Sequence, residues 1–168
     1  RIEDARRYLE ETEGRTEDAA LLRIQLEQKT GENDKALEEI QKQLYRAVSQ
    51  ALQMLMMLMQ TKEDAREALE IAKIYRRVEA IFAVGGGMSA GLLMQQYMVM
   101  GRKKESLACL TQMVDALVGK PMTPNPMLFN PTFKPKADWR DAGRELRTAL
   151  LRGLKEDETL SSLRGEKK

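Results

Sequence analysis

Nucleophilic and acid–base chemistry has little to work with in this chain. Histidine is absent, so no Ser–His or Cys–His pair can form, and no G-x-S-x-G string occurs. The one thiol, Cys109, lies in the apolar string Leu107-Ala108-Cys109-Leu110 and reads as core rather than as a nucleophile. Carboxylate pairs such as Glu10/Glu11 and Glu38/Glu39 sit among other charges and read as helix surface. Only carboxylates could hold a metal here, and they lack the loop spacing of a cation site. Residues 85–90, Gly-Gly-Gly-Met-Ser-Ala, satisfy the G-x-G-x-x-A fingerprint by which a helix N-terminus approaches a dinucleotide pyrophosphate. That chemistry needs a strand leading into the glycines. The residues before them have helical spacing, so a flexible corner is expected, followed by a small-residue face (Gly87, Ser89, Ala90, Gly91) for close helix contact. Catalysis, cofactors and metals are therefore not expected, and an enzyme with an unfamiliar carboxylate site is the remote alternative.

Residue types suited to binding are better represented. Met54, Met56, Met57 and Met59 crowd one stretch, and flexible thioethers occur both in irregular cores and on adaptable recognition surfaces. Core is the expected place for them. Side chains pointing in four directions cannot all meet one neighbour, however, so this helix must be covered on more than one side, by stacked repeats or by a second chain. Over residues 134–155 basic residues outnumber acidic ones, and Arg140, Arg144 and Arg147 share a helical face, a candidate contact for an acidic partner or DNA phosphate. A solvated face is the plainer reading, and Trp139 is expected to pack nearby under a linker.

The elements that must position these groups are helical. Charged residues make up 32% of the chain and aromatics 5%, and strong helix formers dominate. The 168 residues suffice for one domain without staples. The 28 basic and 26 acidic residues, net +2, are interspersed along most of the chain, which disfavours direct nucleic-acid binding. A single cysteine fits a reducing cytosol, and no apolar run reaches the ~20 residues that a bilayer requires, so a cytoplasmic protein without a membrane segment is expected. The chain does not begin with Met and reads as part of something longer.

Two short helices open the chain, with Thr16 capping the second and Gly31 ending it; Asn33 is placed to cap a third. Residues 34–60 contain no Gly or Pro, and Leu37, Ile40, Leu44, Val48, Ala51, Leu55 and Leu58 follow three-four spacing, as one long helix or two that abut. Thr61-Lys62-Glu63-Asp64 has the form of a capping box that restarts the helix. The three glycines at 85–87 stop it, a further helix reaches about Met100, and the Gly101 turn leads to another. All five prolines fall in residues 121–135, so 120–137 is expected as an extended linker draped over the 1–119 helical domain, anchored by Met127, Leu128, Phe129 and Phe133. Residues 138–168 are expected to form a C-terminal helix and tail.

A small residue followed by Leu recurs at Ala36-Leu37, Ala68-Leu69 and Ser106-Leu107, 32 and 38 residues apart, which brackets the ~34-residue tetratricopeptide period. Residues 97–107, Tyr-Met-Val-Met-Gly-Arg-Lys-Lys-Glu-Ser-Leu, show that repeat's order of aromatic, Gly, turn and small residue. With the Thr-Pro-Asn-Pro linker and the string Leu150-Leu151-Arg152-Gly153-Leu154-Lys155-Glu156-Asp157, residues 33–165 resemble the tetratricopeptide-like effector region that follows the helix-turn-helix of repressor-like transcription regulators of Firmicutes. The resemblance implies an all-α fold of antiparallel hairpins stacked as a tetratricopeptide-like array. It also implies a non-catalytic module that oligomerises and takes a peptide, small ligand or protein partner in a groove. DNA would be reached only through a helix-turn-helix that this chain lacks. In that register the ligand-lining positions fall on Gln25, Gln28, Gln50, Gln53, Met57, Gln60 and Gln95, whose amides suit a peptide backbone. A free-standing tetratricopeptide-like scaffold is the alternative.

Overall fold

A computed structural model describes residues 2–11, 17–118, 123–131, 133, 148 and 152. Among these the fold is all-α, with no strand: α1 (Ile2–Glu11), α2 (Glu17–Lys29), α3 (Asn33–Gln60), α4 (Ala65–Phe82), α5 (Met88–Val99) and α6 (Lys103–Val118). Each helix packs against the next in sequence.

Left-handed glycines terminate α2 and α5 where the sequence places them, whereas α4 stops at Phe82, ahead of the glycines expected to end it, with Ala83 itself left-handed (φ +52°). At Gly31 (φ +80°) the Gly31 amide donates to the Gln28 carbonyl and the Glu32 amide to the Glu27 carbonyl, the paired bonds of a Schellman end. Gly101 (φ +69°) repeats this with Gly101 to Met98 and Arg102 to Tyr97. The Arg102 guanidinium lies 4.9 Å from the centre of the Tyr97 ring and its Nε donates to Glu105 at 2.9 Å, fixing the α5–α6 turn. Helix starts differ from expectation at two places. Asn33 is the first residue of α3, and the cap position is Glu32, whose side chain makes no capping bond. At α4 the cap is Asp64, whose carboxylate accepts from the Arg66 amide at 2.8 Å, while the Thr61 hydroxyl donates back to the Leu58 carbonyl and closes α3. An Asp directly before the helix reaches its free amides from where Thr61, three residues earlier, does not.

Ala36, Ala68 and Ser106 are all buried. The lack of bulk permits close approach, and at Ser106 the hydroxyl also donates to the Met94 carbonyl of α5 at 3.3 Å. Added side-chain atoms at Gly91 and Gly87 would meet Met113 and Ala116 of α6 at 3.3 and 3.1 Å, so the start of α5 lies close against the end of α6. One core runs through Val48, Leu52, Met59, Leu69, Ala72, Tyr75, Leu93 and Cys109. Burial pushes the Cys109 thiol above its ordinary pKa, which removes thiolate. Folded protein is therefore expected to react with an aromatic disulfide reagent at pH 8 only through opening of the fold, whereas urea-unfolded chain reacts at once; equal rates would contradict a buried thiol.

Of the linker, residues 123–131 and 133 are described. Phe129 is buried, Leu128 and Phe133 pack on the core, and Met127 points to solvent at 89% exposure. The first three anchor as expected. Met127 does not, because the amides of Met127, Leu128 and Phe129 all turn onto Asn125 and direct successive side chains to different sides. Thr16, Trp139 and the expected C-terminal helix, apart from residues 148 and 152, lie outside the described residues.

Candidate interaction surface

The 28 residues of α3 span about 42 Å at 1.5 Å per residue, against about 20 Å for the 13 residues of α2. Coming off the Gly31 turn, α2 runs out of length beside the first half of α3. The second half, residues 47–60, contains no charged residue, and a helix apolar or neutral all round is one that expects covering. Only part of it is covered. Val48, Leu52 and Met59 are buried, with Leu55 and Met56 half-buried against them, and these form the inward face. Met54 (68% exposed), Met57 (63%) and Leu58 (49%) lie in solvent, with Ala47 and Ala51 beside them.

The single apolar stripe expected from the sequence is thus two stripes. Val48 and Leu55 turn inward, whereas Leu37, Ile40, Ala51 and Leu58 are exposed, and Leu44 lies between. The expectation that the four methionines are core holds for Met56 and Met59 and fails for Met54 and Met57. The reason is geometric: α4 covers one side of α3, and α2 does not reach the other.

All seven proposed groove residues, Gln25, Gln28, Gln50, Gln53, Met57, Gln60 and Gln95, are exposed. Gln50, Gln53, Met57 and Gln60 share one face of α3 at 3-4-3 spacing; Gln25 and Gln28 stand on α2 and Gln95 on α5. The glutamines taken into the interior are instead Gln41 and Gln96, the latter with its amide 3.9 Å from the Met59 sulfur. Arg140, Arg144 and Arg147 lie outside the described residues.

The corner between α4 and α5 carries the other unusual chemistry. Glu79, on α4, is buried, and its two carboxylate oxygens accept from the Gly87 amide at 2.9 Å and the Ser89 amide at 3.3 Å. The positive end of α5 is therefore occupied by an acid of the chain itself, and a helix rather than a strand precedes the glycines. The Gly87 and Ser89 amides that would face a pyrophosphate are already taken by Glu79, and the strand-to-helix approach is missing. The sequence does not single out Glu79 because Arg76-Arg77-Val78-Glu79 looks like the charged surface of a helix; the available signal was an acid six residues ahead of three glycines. Among the described residues no group of metal-ligating side chains gathers, and no helix is long and apolar enough to cross a membrane.

No family model, curated protein or solved structure matches this chain.

Proposed function

We propose that this chain is a non-catalytic helical module that binds a protein partner along the outer face of α3 and, within a longer polypeptide, serves as the oligomerising effector part of a repressor-like transcription regulator. The observation that carries the reading is the solvent exposure of Met54, Met57 and Leu58 on a stretch without a single charge. Exposed apolar side chains clustered on an uncharged surface mark contact sites, because leaving them in water forfeits about 25 cal/mol per Å². Methionine adapts its shape to an apolar partner, and the flanking Gln50, Gln53 and Gln60 supply donors and acceptors without selecting a charge. The burial of Ala36, Ala68 and Ser106 supports a tetratricopeptide-like stacking of the hairpins, with α3 unbroken where a regular array would turn.

Screening a displayed library of helical peptides tests the binding face. Peptides enriched on the wild-type chain should lose at least about 10-fold in affinity to M57E, in keeping with a charge placed in an apolar contact, and somewhat less to Q53E. Enriched peptides that bind M54E/M57E as tightly as wild type would remove α3 as the surface. The regulator assignment has a separate check: the coding sequence upstream of this segment should specify a helix-turn-helix, and a gene without one returns the module to a free-standing scaffold.

A further inference from the structure

Resting on that partner-binding reading, we infer that the occupant of the α3 face is a second copy of this chain, its α3 running antiparallel about a two-fold axis. Leu44, Ala47, Ala51, Met54 and Leu58 follow one another at 3-4-3-4 spacing, an average of 3.5 residues, which is the seam of two helices that supercoil around each other. All but the half-buried Leu44 are exposed. The order of sizes along the seam then selects the direction. Set antiparallel with the axis between positions 52 and 53, Ala51 lies opposite Met54 of the second copy and Ala47 opposite its Leu58, and the symmetry generates the reciprocal layers. Every layer from 47 to 58 pairs one small side chain with one large one, so the helices approach closely and each methionine or leucine fills the space above an alanine. A parallel pair in register would stack alanine on alanine and methionine on methionine, alternating voids with crowded layers.

Charge points to the same occupant. The seam is flanked on its outer edge by Gln43, Gln50 and Met57, none of which carries charge. A helix that chose its partner through flanking ion pairs would find no counterpart here, whereas the same neutral stretch meets itself without like-charge repulsion. The four layers extend about 17 Å along the helix, short for a coiled coil, which places the dimer in the weak, reversible class.

Sedimentation velocity on the whole chain over a range from micromolar to several hundred micromolar should show a monomer–dimer equilibrium. A51E should raise its dissociation constant by more than about 100-fold, because two symmetry-related carboxylates would enter an apolar seam. Position 51 is exposed in the monomer, so the helical circular dichroism and the unfolding midpoint at low concentration should stay unchanged, separating lost association from lost folding. Direction is read by cysteine pairing: A47C mixed with L58C should give a mixed disulfide under mild oxidation, while neither variant cross-links to itself. Self-cross-linking of A47C, a dimer indifferent to A51E, or a monomer at every concentration would each overturn the inference. If the chain is monomeric and library peptides still depend on Met57, the partner-binding reading stands and only the second copy is lost.

Discussion

Replacing Phe129 by Ala should lower the stability of the chain by about 3–5 kcal/mol, the range for deleting a buried phenyl ring. The ring is fully enclosed, edge-on to Tyr45 at 6.2 Å between centroids and tilted against Phe133 at 5.1 Å, with Tyr45 and Phe133 themselves 5.6 Å apart. Such three-ring contacts add to the transfer free energy of the ring itself. Asn125 fixes the register that delivers the ring: its backbone amide donates to the Phe82 carbonyl at 3.1 Å and its side-chain amide to the Ile81 carbonyl at 2.7 Å, both at the open C-terminal end of α4. Losing the ring leaves a cavity between α3 and the linker and removes the most deeply buried apolar anchor of the segment, leaving Leu128, Phe133 and the two Asn125 bonds to hold it. Urea denaturation should register the loss in the midpoint, and limited proteolysis should cut near residues 123–131 in F129A before any helix is cleaved. The control is M127A: that side chain is almost wholly in water, and its removal should change stability by less than about 0.5 kcal/mol. An F129A midpoint as close to wild type as that of M127A would mean that the linker does not dock.

What the sequence disclosed and what it concealed follow from the range over which each signal acts. Gly31 and Gly101 end helices through local backbone geometry, so their spacing was sufficient to place α2, α5 and the turns after them. Ala36, Ala68 and Ser106 are legible for a similar reason, since a small residue at a recurring position has few explanations other than close packing. The two faces of α3 are different. When almost every position from 47 to 60 is apolar or amide, helical periodicity cannot separate the stripe that meets α4 from the stripe that meets solvent; the length of α2 decides it, and that is a tertiary fact. Glutamine misled in the same way. Gln53 and Gln95 are indistinguishable in type from Gln41 and Gln96, and only the neighbouring helices assign one pair to water and the other to the interior.

Glu79 makes the same point with larger energetic consequence. E79A should cost about 2–4 kcal/mol, because it strands the Gly87 and Ser89 amides without acceptors inside the fold and removes a negative group from the positive end of α5. E79Q retains the side chain's shape and one carbonyl acceptor, so about half that loss is expected. The corner is built around this carboxylate. Gly85 adopts φ +119°, and a Cβ added there would lie 2.7 Å from Glu79 Oε1 and 3.2 Å from Leu52 Cδ1, so G85A should be destabilising through both strain and displacement of the acid. The two lesions act on one contact and should therefore combine to less than their sum, a coupling that a double-mutant cycle by urea denaturation measures directly. Hydrogen exchange locates the effect: the Gly87 and Ser89 amides should lose protection in E79A more than amides in the middle of α4. Tyr75, whose phenol is pushed above its ordinary pKa first by burial and then by the Glu79 charge, offers a spectroscopic reporter. In E79Q the charge contribution vanishes while the burial remains, so Tyr75 itself should ionise at lower pH than it does in wild type, the last-titrating step of the tyrosine absorbance moving down. An E79A variant as stable as wild type, with Gly87 and Ser89 still protected, would show that the α4–α5 corner is held by helix packing alone and that the buried acid is incidental to it.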